Sequence, residues 1–277
     1  MARSTFFYNL KAMRAGDEKD KAAKDTIRKL YCENAKGNES YGYRRICDLM
    51  RQIPGYSGIN HKRVARLMRE MGLAGYVSKA GARKYSSYKG TVGKVAENVV
   101  NRNFKPERPN MIWSTDITEF RLPSCGNAKV YLSPIKDFCD GSIISHRCST
   151  SPNMDLVMGM LEDALGKHRG LSGLTFHSDQ GWQYQNRRWI ERLGSRCIEQ
   201  SMSRKGNCMD NGKMESFFST LKKAIWFGRE KEYKSPAELI AAIDDYIYWY
   251  NNKRIQHGLN GMTPLQYRRS VAILKIA

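Results

Sequence analysis

Residues 111–120 read Met-Ile-Trp-Ser-Thr-Asp-Ile-Thr-Glu-Phe. The run alternates and is rich in Ile, Thr and aromatic residues, the composition of a strand. In an extended chain successive side chains point to opposite faces. Trp113, Thr115 and Ile117 then share one face, and Ser114, Asp116 and Thr118 share the other. Asp116 is the anomaly. A lone carboxylate placed on the core side of a strand costs several kcal/mol unless it is paired or binds a cation.

Working outward, residues 129–138 and 142–148 are further short apolar runs, separated by the hairpin signal Asp140-Gly141. Residues 152–167 read as a helix with Met154, Val157, Met158, Leu161 and Leu165 on one face. Residues 171–177 read as a strand, 187–193 as a helix and 196–199 as a short strand. Strands followed by alternating helix and strand predict an α/β class with a mixed sheet. Past residue 231 the chain reads as helical. Ser235-Pro236-Ala237-Glu238 is a capping box with Pro at the first helical position, and Thr263-Pro264-Leu265-Gln266 repeats the logic.

Upstream, residues 16–36 read as a charged helix and 43–72 as two helices joined through Pro54 and Gly55. Asn60 can cap the second helix and Gly72 can end it. Val64, Leu67, Met68 and Met71 form its apolar stripe. Lys62, Arg66 and Arg69 lie opposite, with Arg63 beside them, as in a recognition helix of a helix-turn-helix. A solvated basic face would give the same spacing. The charge balance favours DNA: the net charge is +20, and residues 1–110 hold 24 Lys and Arg against 10 Asp and Glu. Residues 77–109, rich in Gly, Ser, Lys and Arg with Tyr85 and Tyr88 among them, read as a linker or arm. No apolar stretch approaches a membrane span and no secretory leader is visible. Seven scattered cysteines without a Cys-x-x-Cys pair argue against a zinc knuckle or a disulfide scaffold and fit a reducing cytoplasm.

Two more acids stand out. Asp179 closes the run Leu174-Thr175-Phe176-His177-Ser178, and ligand sites of open α/β sheets gather at the carboxyl ends of strands. Glu215 follows Asn207-Cys208-Met209-Asp210-Asn211-Gly212, a turn and helix start. In the following helix Met214, Phe218, Leu221 and Ile225 form the core stripe, with Glu215, Ser219 and Lys222 on the adjoining face. Each acid alone has an ordinary explanation: a turn-former, or a favourable charge near a helix N-terminus.

Together they resemble a known family. Trp113-Ser114-Thr115-Asp116-Ile117-Thr118, His177-Ser178-Asp179-Gln180-Gly181, Asp210-Asn211-Gly212-Lys213-Met214-Glu215-Ser216-Phe217-Phe218 and Asn251-Asn252-Lys253-Arg254 are similar to segments of bacterial insertion-sequence transposases of the retroviral-integrase-like, second-reading-frame (OrfB) type. Tyr41-Gly42-Tyr43-Arg44-Arg45-Ile46 and Asn260-Gly261-Met262-Thr263-Pro264 also fit, so the resemblance spans about residues 40 to 270. It implies a ribonuclease-H-like α/β core in which Asp116, Asp179 and Glu215 are catalytic. They would hold two Mg²⁺ or Mn²⁺ ions, hard cations suited to carboxylates, for DNA strand cleavage and strand transfer.

It further implies double-stranded DNA (transposon ends and target) as partner, a homo-oligomer, an upstream-frame DNA-binding protein as possible helper, and a cytoplasmic, nucleoid-associated location. Lys222, and at lower rank Asn211, Arg204 and Lys205, are expected near the DNA. His177 either tunes the site or contacts phosphate, or else packs in its strand, and Asp137 is expected to be structural. The expected division is 1–76 DNA-binding helices, 77–109 linker, 110–230 catalytic core and 231–277 helical extension. A nuclease that cuts without joining, and a DNA-binding regulator with an inactive core, share most of these features.

Overall fold

The computed structural model describes residues 3–75, 95–168, 170–204 and 208–273. Its contacts form two units. One takes the described part of Met1–Ser78 together with Ile255–Met262; the other takes the described parts of Lys79–Arg254 and Thr263–Ala277.

The second unit is organised by a six-stranded mixed sheet. Its strands are β1 (Ile112–Thr115), β2 (Thr118–Leu122), β3 (Ala128–Asp137), β4 (Ile143–Ser149), β5 (Thr175–Ser178) and β6 (Glu199–Met202). Their order is β2-β3-β1-β5-β6, with β4 also paired to β3. β1, β5 and β6 run parallel, whereas β3 pairs antiparallel with β1, β2 and β4. The helices are α4 (Met154–Lys167), α5 (Arg187–Gly194), α6 (Gly212–Ile225), α7 (Pro236–Asn252) and α8 (Pro264–Ile273).

Strand alternation decides which helix covers which face. Trp113, Ile135 and Phe176 join Val157, Met160, Leu161 and Trp189 in the main core, so α4 and α5 cover that face. Ser114 points the other way and meets Asn211 at the start of α6. The Thr263 capping box forms, with Thr263 and Gln266 capping each other's backbone; at Ser235 the hydroxyl accepts from the Glu238 N–H while the Glu238 carboxylate takes the Lys234 N–H instead.

Three expectations change. The expected strand 111–120 is broken at Asp116 and Ile117, and its halves pair with β3 in one continuous register, Thr115 with Ile135 and Thr118 with Leu132. The strand expected at 196–199 lies at Glu199–Met202 instead, because Cys197 is left-handed (φ 53°) and turns the chain. Of the expected linker, 77–94 falls outside the described residues. Residues 95–109 pack: Val99 and Val100 donate to Ser201 Oγ at 3.0 and 3.3 Å, and Val100 is buried with Ile112 and Phe138.

The first unit holds α1 (Arg3–Glu33), α2 (Tyr43–Arg51) and α3 (His61–Glu70). Ala23, Ile27, Ile46, Met50, Val64 and Leu67 are buried where the three meet. The α2–α3 turn carries Gly55 at φ 88°, a conformation that favours glycine. Asn60 caps α3 through the Lys62 N–H at 2.8 Å. Ile255–Met262, expected within the C-terminal extension, completes this unit. Ile255 N–H donates to Tyr41 Oη (3.0 Å), His257 Nδ1 meets Asp48 (2.7 Å), and Gln52 donates to the Gly261 carbonyl (3.2 Å). Among the described residues no helix is long and apolar enough to cross a membrane.

Candidate active site

Asp116 occupies the break between β1 and β2. Continuing the register places it opposite Pro134, which has no N–H to give the ladder. Asp116 Oδ1 instead accepts from the Ile117 N–H at 2.7 Å. The carboxylate therefore sits on backbone released from the sheet, half-buried.

Asp179 follows β5. Ser114 pairs with His177 across the parallel β1–β5 ladder, so two residues further on Asp116 and Asp179 leave the sheet side by side. An Asx turn fixes Asp179: its Oδ1 accepts from the Gly181 N–H at 2.9 Å. A Cβ at position 181 would lie 2.9 Å from that same oxygen, which explains the glycine.

Glu215 lies in the first turn of α6, and two contacts on its side of the helix aim it. Asn211 Oδ1 accepts from Ser114 Oγ at 2.6 Å, and its Nδ2 donates to the Thr115 carbonyl at 3.3 Å. Lys222 Nζ donates to the Glu119 carbonyl at 3.0 Å and lies 5.0 Å over the Phe120 ring. Asn211 and Lys222 thus bind the backbone on either side of Asp116, and Glu215 projects between them.

The electrostatics agree. Burial pushes the Asp116 carboxyl well above the usual carboxylate range, and the charges of Asp179 and Glu215 push it further; the Ile117 N–H and the Lys222 ammonium oppose them. Burial raises Asp179, against the Gly181 N–H, and raises Glu215. Contrast Asp210, which is lowered because Arg204 and Arg102 pair with it. Among the described residues none of the three acids makes an ion pair, and no three His, Cys, Asp or Glu side chains are gathered into a ready cage for an ion. Glu215, the exposed member, is the one with room to move.

The neighbours divide cleanly. His177 is fully buried, with Nδ1 3.0 Å from Ser201 Oγ and Nε2 3.1 Å from Ser203 Oγ; burial drops its pKa to about 4. It is a neutral packed histidine and cannot reach phosphate. Asp137 is structural: it accepts from Asn110, Trp113, Cys139 and Arg268. Asn211, expected near DNA, is buried beneath the helix start. Arg204 is held by Asp210, and Lys205 lies outside the described residues.

On α3, Lys62 and Arg69 are exposed. Arg63 and Arg66 share the carboxylate of Asp20 on α1, both at 2.8 Å, and Arg66 also meets Glu70. Sequence reasoning missed this pairing, the Pro134 break and the Asn211 bridge. Only the Pro134 break left a trace in the sequence, a proline inside an apolar run.

Comparison with known proteins decides the family. A family model described as an integrase core domain matches residues 106–208, and a second of the same description matches 215–271. A model of an HTH-like domain matches 17–81. The chain is 42% identical over 274 residues to the InsK protein of insertion sequence element IS150 from Escherichia coli (strain K12), covering 99% of this chain and 92% of that one.

The chain belongs to the insertion-sequence transposases.

The transposase for IS904 of Lactococcus lactis is a further relative, 33% identical over 83% of this chain and 87% of its own. Among solved structures, the HTLV-2 integrase catalytic core in complex with magnesium aligns at a TM-score of 0.46 and 19% identity, over 58% of this chain and 97% of that chain. This transposase joins an HTH-like region to an integrase core, and it is an enzyme of the transposase and integrase type.

Proposed function

We propose that Asp116, Asp179 and Glu215 are the catalytic and metal-binding acids of this transposase, and that they cut the ends of an insertion sequence and join them to target DNA. One observation carries the assignment. Asp116 and Asp179 leave the sheet side by side at the carboxyl ends of β1 and β5, Glu215 lies in the first turn of the helix that Asn211 ties to β1, and all three lack ion-pair partners among the described residues and are raised by burial. Their unmet charge fits hard divalent cations such as Mg²⁺ or Mn²⁺, two of them by analogy with the chemistry of paired-ion phosphoryl transfer. Bound there, such ions would activate the attacking oxygen and stabilise the leaving one. The protein holds Asp116 and Asp179 on backbone freed from the sheet and presents the more exposed Glu215 from the first turn of α6. Hydrolysis and joining then differ only in the nucleophile, water or a 3′-hydroxyl.

The DNA contacts proposed on α3 are Lys62 and Arg69, joined by Arg63 and Arg66 when these exchange Asp20 for phosphate. Lys222, which donates to the Glu119 carbonyl beside Asp116, is proposed to meet a phosphate of the DNA near the cut. Bringing two DNA ends together calls for a second copy of the chain, and an upstream-frame protein is a natural helper in end recognition.

The test uses Asp116→Asn, Asp179→Asn and Glu215→Gln. Each should abolish cleavage of transposon ends and joining of a precleaved 3′-hydroxyl end in Mg²⁺, with DNA affinity kept. Substantial cleavage by any one variant removes that acid from the site. A parent protein that cuts but never joins a precleaved end refutes strand transfer.

A further inference from the structure

Four helices begin at an asparagine: α3 at Asn60, α4 at Asn153, α5 at Asn186 and α6 at Asn211. The first three cap their own helices, accepting from the N–H of Lys62 (2.8 Å), Leu156 (3.1 Å) and Arg188 (3.0 Å). That is what an asparagine at this position ordinarily does. Asn211 does not: its side chain makes no bond to its own helix. Only 4% exposed, it reaches across to β1, where the fully buried Ser114 donates to Oδ1 at 2.6 Å and the Thr115 carbonyl accepts from Nδ2 at 3.3 Å. Both ends of the amide are used, so the side chain has one orientation. Where a residue forgoes its local optimum, a global role is expected.

The contact falls at an informative place. Thr115 is the last residue of β1 and adjoins Asp116, and Glu215 is four residues beyond Asn211, one helical turn. We propose that Asn211 is a positioning residue for catalysis: with Ser114 it pins the first turn of α6 to the end of β1 and so fixes the separation between Asp116 and Glu215. The proposal rests on the assignment of those two acids.

Asn211→Ser isolates the effect. Serine is a good helix cap but is too short to reach β1, so the variant keeps or improves the local helix and loses only the bridge. In the full-length protein it should bind transposon ends with unchanged affinity and KM, while kcat for joining falls roughly ten- to hundred-fold, the scale of a displaced catalytic group. Mn²⁺ titrated into the DNA-free protein, followed by calorimetry, should bind several-fold more weakly. Amide exchange in the first turn of α6 should not quicken beyond the parent by more than the bridge accounts for. Ser114→Ala, which removes one of the two bonds, should show a smaller defect in the same direction, and the double variant should be no worse than Asn211→Ser.

Parental kcat and Mn²⁺ affinity in Asn211→Ser overturn the proposal, and so does simple additivity of the two substitutions. Asp116→Asn, run in parallel, separates the failures. If it is inactive while Asn211→Ser is normal, only the positioning role falls. If it is active, the acid assignment falls first.

Discussion

Pro134 stands opposite Asp116 in the antiparallel register that β3 shares with β1 and β2. A proline offers no N–H, and the strand interrupts at that level, with the Asp116 carboxylate accepting the Ile117 N–H instead. The break releases Asp116 from the strand ladder toward the proposed site. Pro134→Val should restore the missing donor and let the segment run on as one strand, since Val is a strong strand former. Thermal stability should hold or rise, while strand transfer drops roughly ten- to hundred-fold because Asp116 is re-aimed. Melting curves and a joining assay check both halves; a fully active variant would show the proline to be incidental.

Gly181 does for Asp179 what Pro134 does for Asp116. The methyl of Gly181→Ala would lie 2.9 Å from Asp179 Oδ1, closer than real contacts allow, and 3.3 Å from Gln183 Oε1 and the Tyr184 ring. The backbone there is not left-handed, so the strain falls on the carboxylate rather than on the turn. Activity should fall at least about ten-fold, with a stability change near 1 kcal/mol, typical of a local adjustment. Loss of folding would instead indicate that the turn itself depends on the glycine.

The core was legible where periodicity and capping chemistry act locally. The α6 stripe, the Val157, Leu161 and Leu165 part of the α4 stripe and the caps at Asn60, Ser235 and Thr263 follow from neighbours in sequence, whereas Met154 and Met158 are only partly buried. The three acids proposed as catalytic stand out only as a set, through a resemblance, because each has an ordinary explanation alone. The rest depended on distant partners. The break at Asp116 is made with Pro134, on another strand. Asn211 can cap a helix or reach a strand, and only the presence of Ser114 beneath it decides. Residues 95–109 look like a linker by composition, yet Asn98 and Arg102 bind Asp210. Ile255–Met262 joins the first unit through Tyr41, Asp48 and Gln52, some two hundred residues away.

Asp210 gives the protein an acid-sensitive lock. Its side chain is fully buried and receives Arg204, Arg102, Asn98 and the Arg204 N–H. Arg204 above all holds its carboxyl far below the usual range. A carboxyl more acidic in the folded than in the unfolded chain stabilises the fold above its unfolded pKa of about 4. That contribution is lost as the pH falls below about 5 toward the folded value. Asp210→Asn should cost about 2 kcal/mol at pH 7, the scale of hydrogen bonds to a charged group. The gap to the parent should close as acid protonates Asp210. Denaturant midpoints across pH 3 to 7 measure it; a gap independent of pH would mean the loss is one of packing.

Asp20 sets how many cations on the basic face of α3 are already paired, and so how many are open to the DNA proposed to bind there. Its two oxygens hold Arg63 and Arg66 at 2.8 Å each, and these guanidiniums keep its carboxyl below the usual range. The pairs are partly exposed, so their loss should cost no more than about 1 kcal/mol of stability. Their effect on binding should be larger. Each phosphate neutralised by a lysine or arginine adds roughly 0.9 to the slope of log affinity against log salt. With Asp20 in place, Lys62 and Arg69 are the cations of the set without an ion pair among the described residues, and Arg63 and Arg66 must give up a carboxylate before they can contribute. Asp20→Asn removes that competition. Non-specific binding to a short duplex should tighten at low salt, and the slope should steepen by up to about 2. Lys62→Ala or Arg69→Ala should each flatten it by about 1. Slopes from a salt titration decide the matter. An Asp20→Asn protein with the parental slope would show that Arg63 and Arg66 serve to hold α1 against α3, with no part in binding DNA.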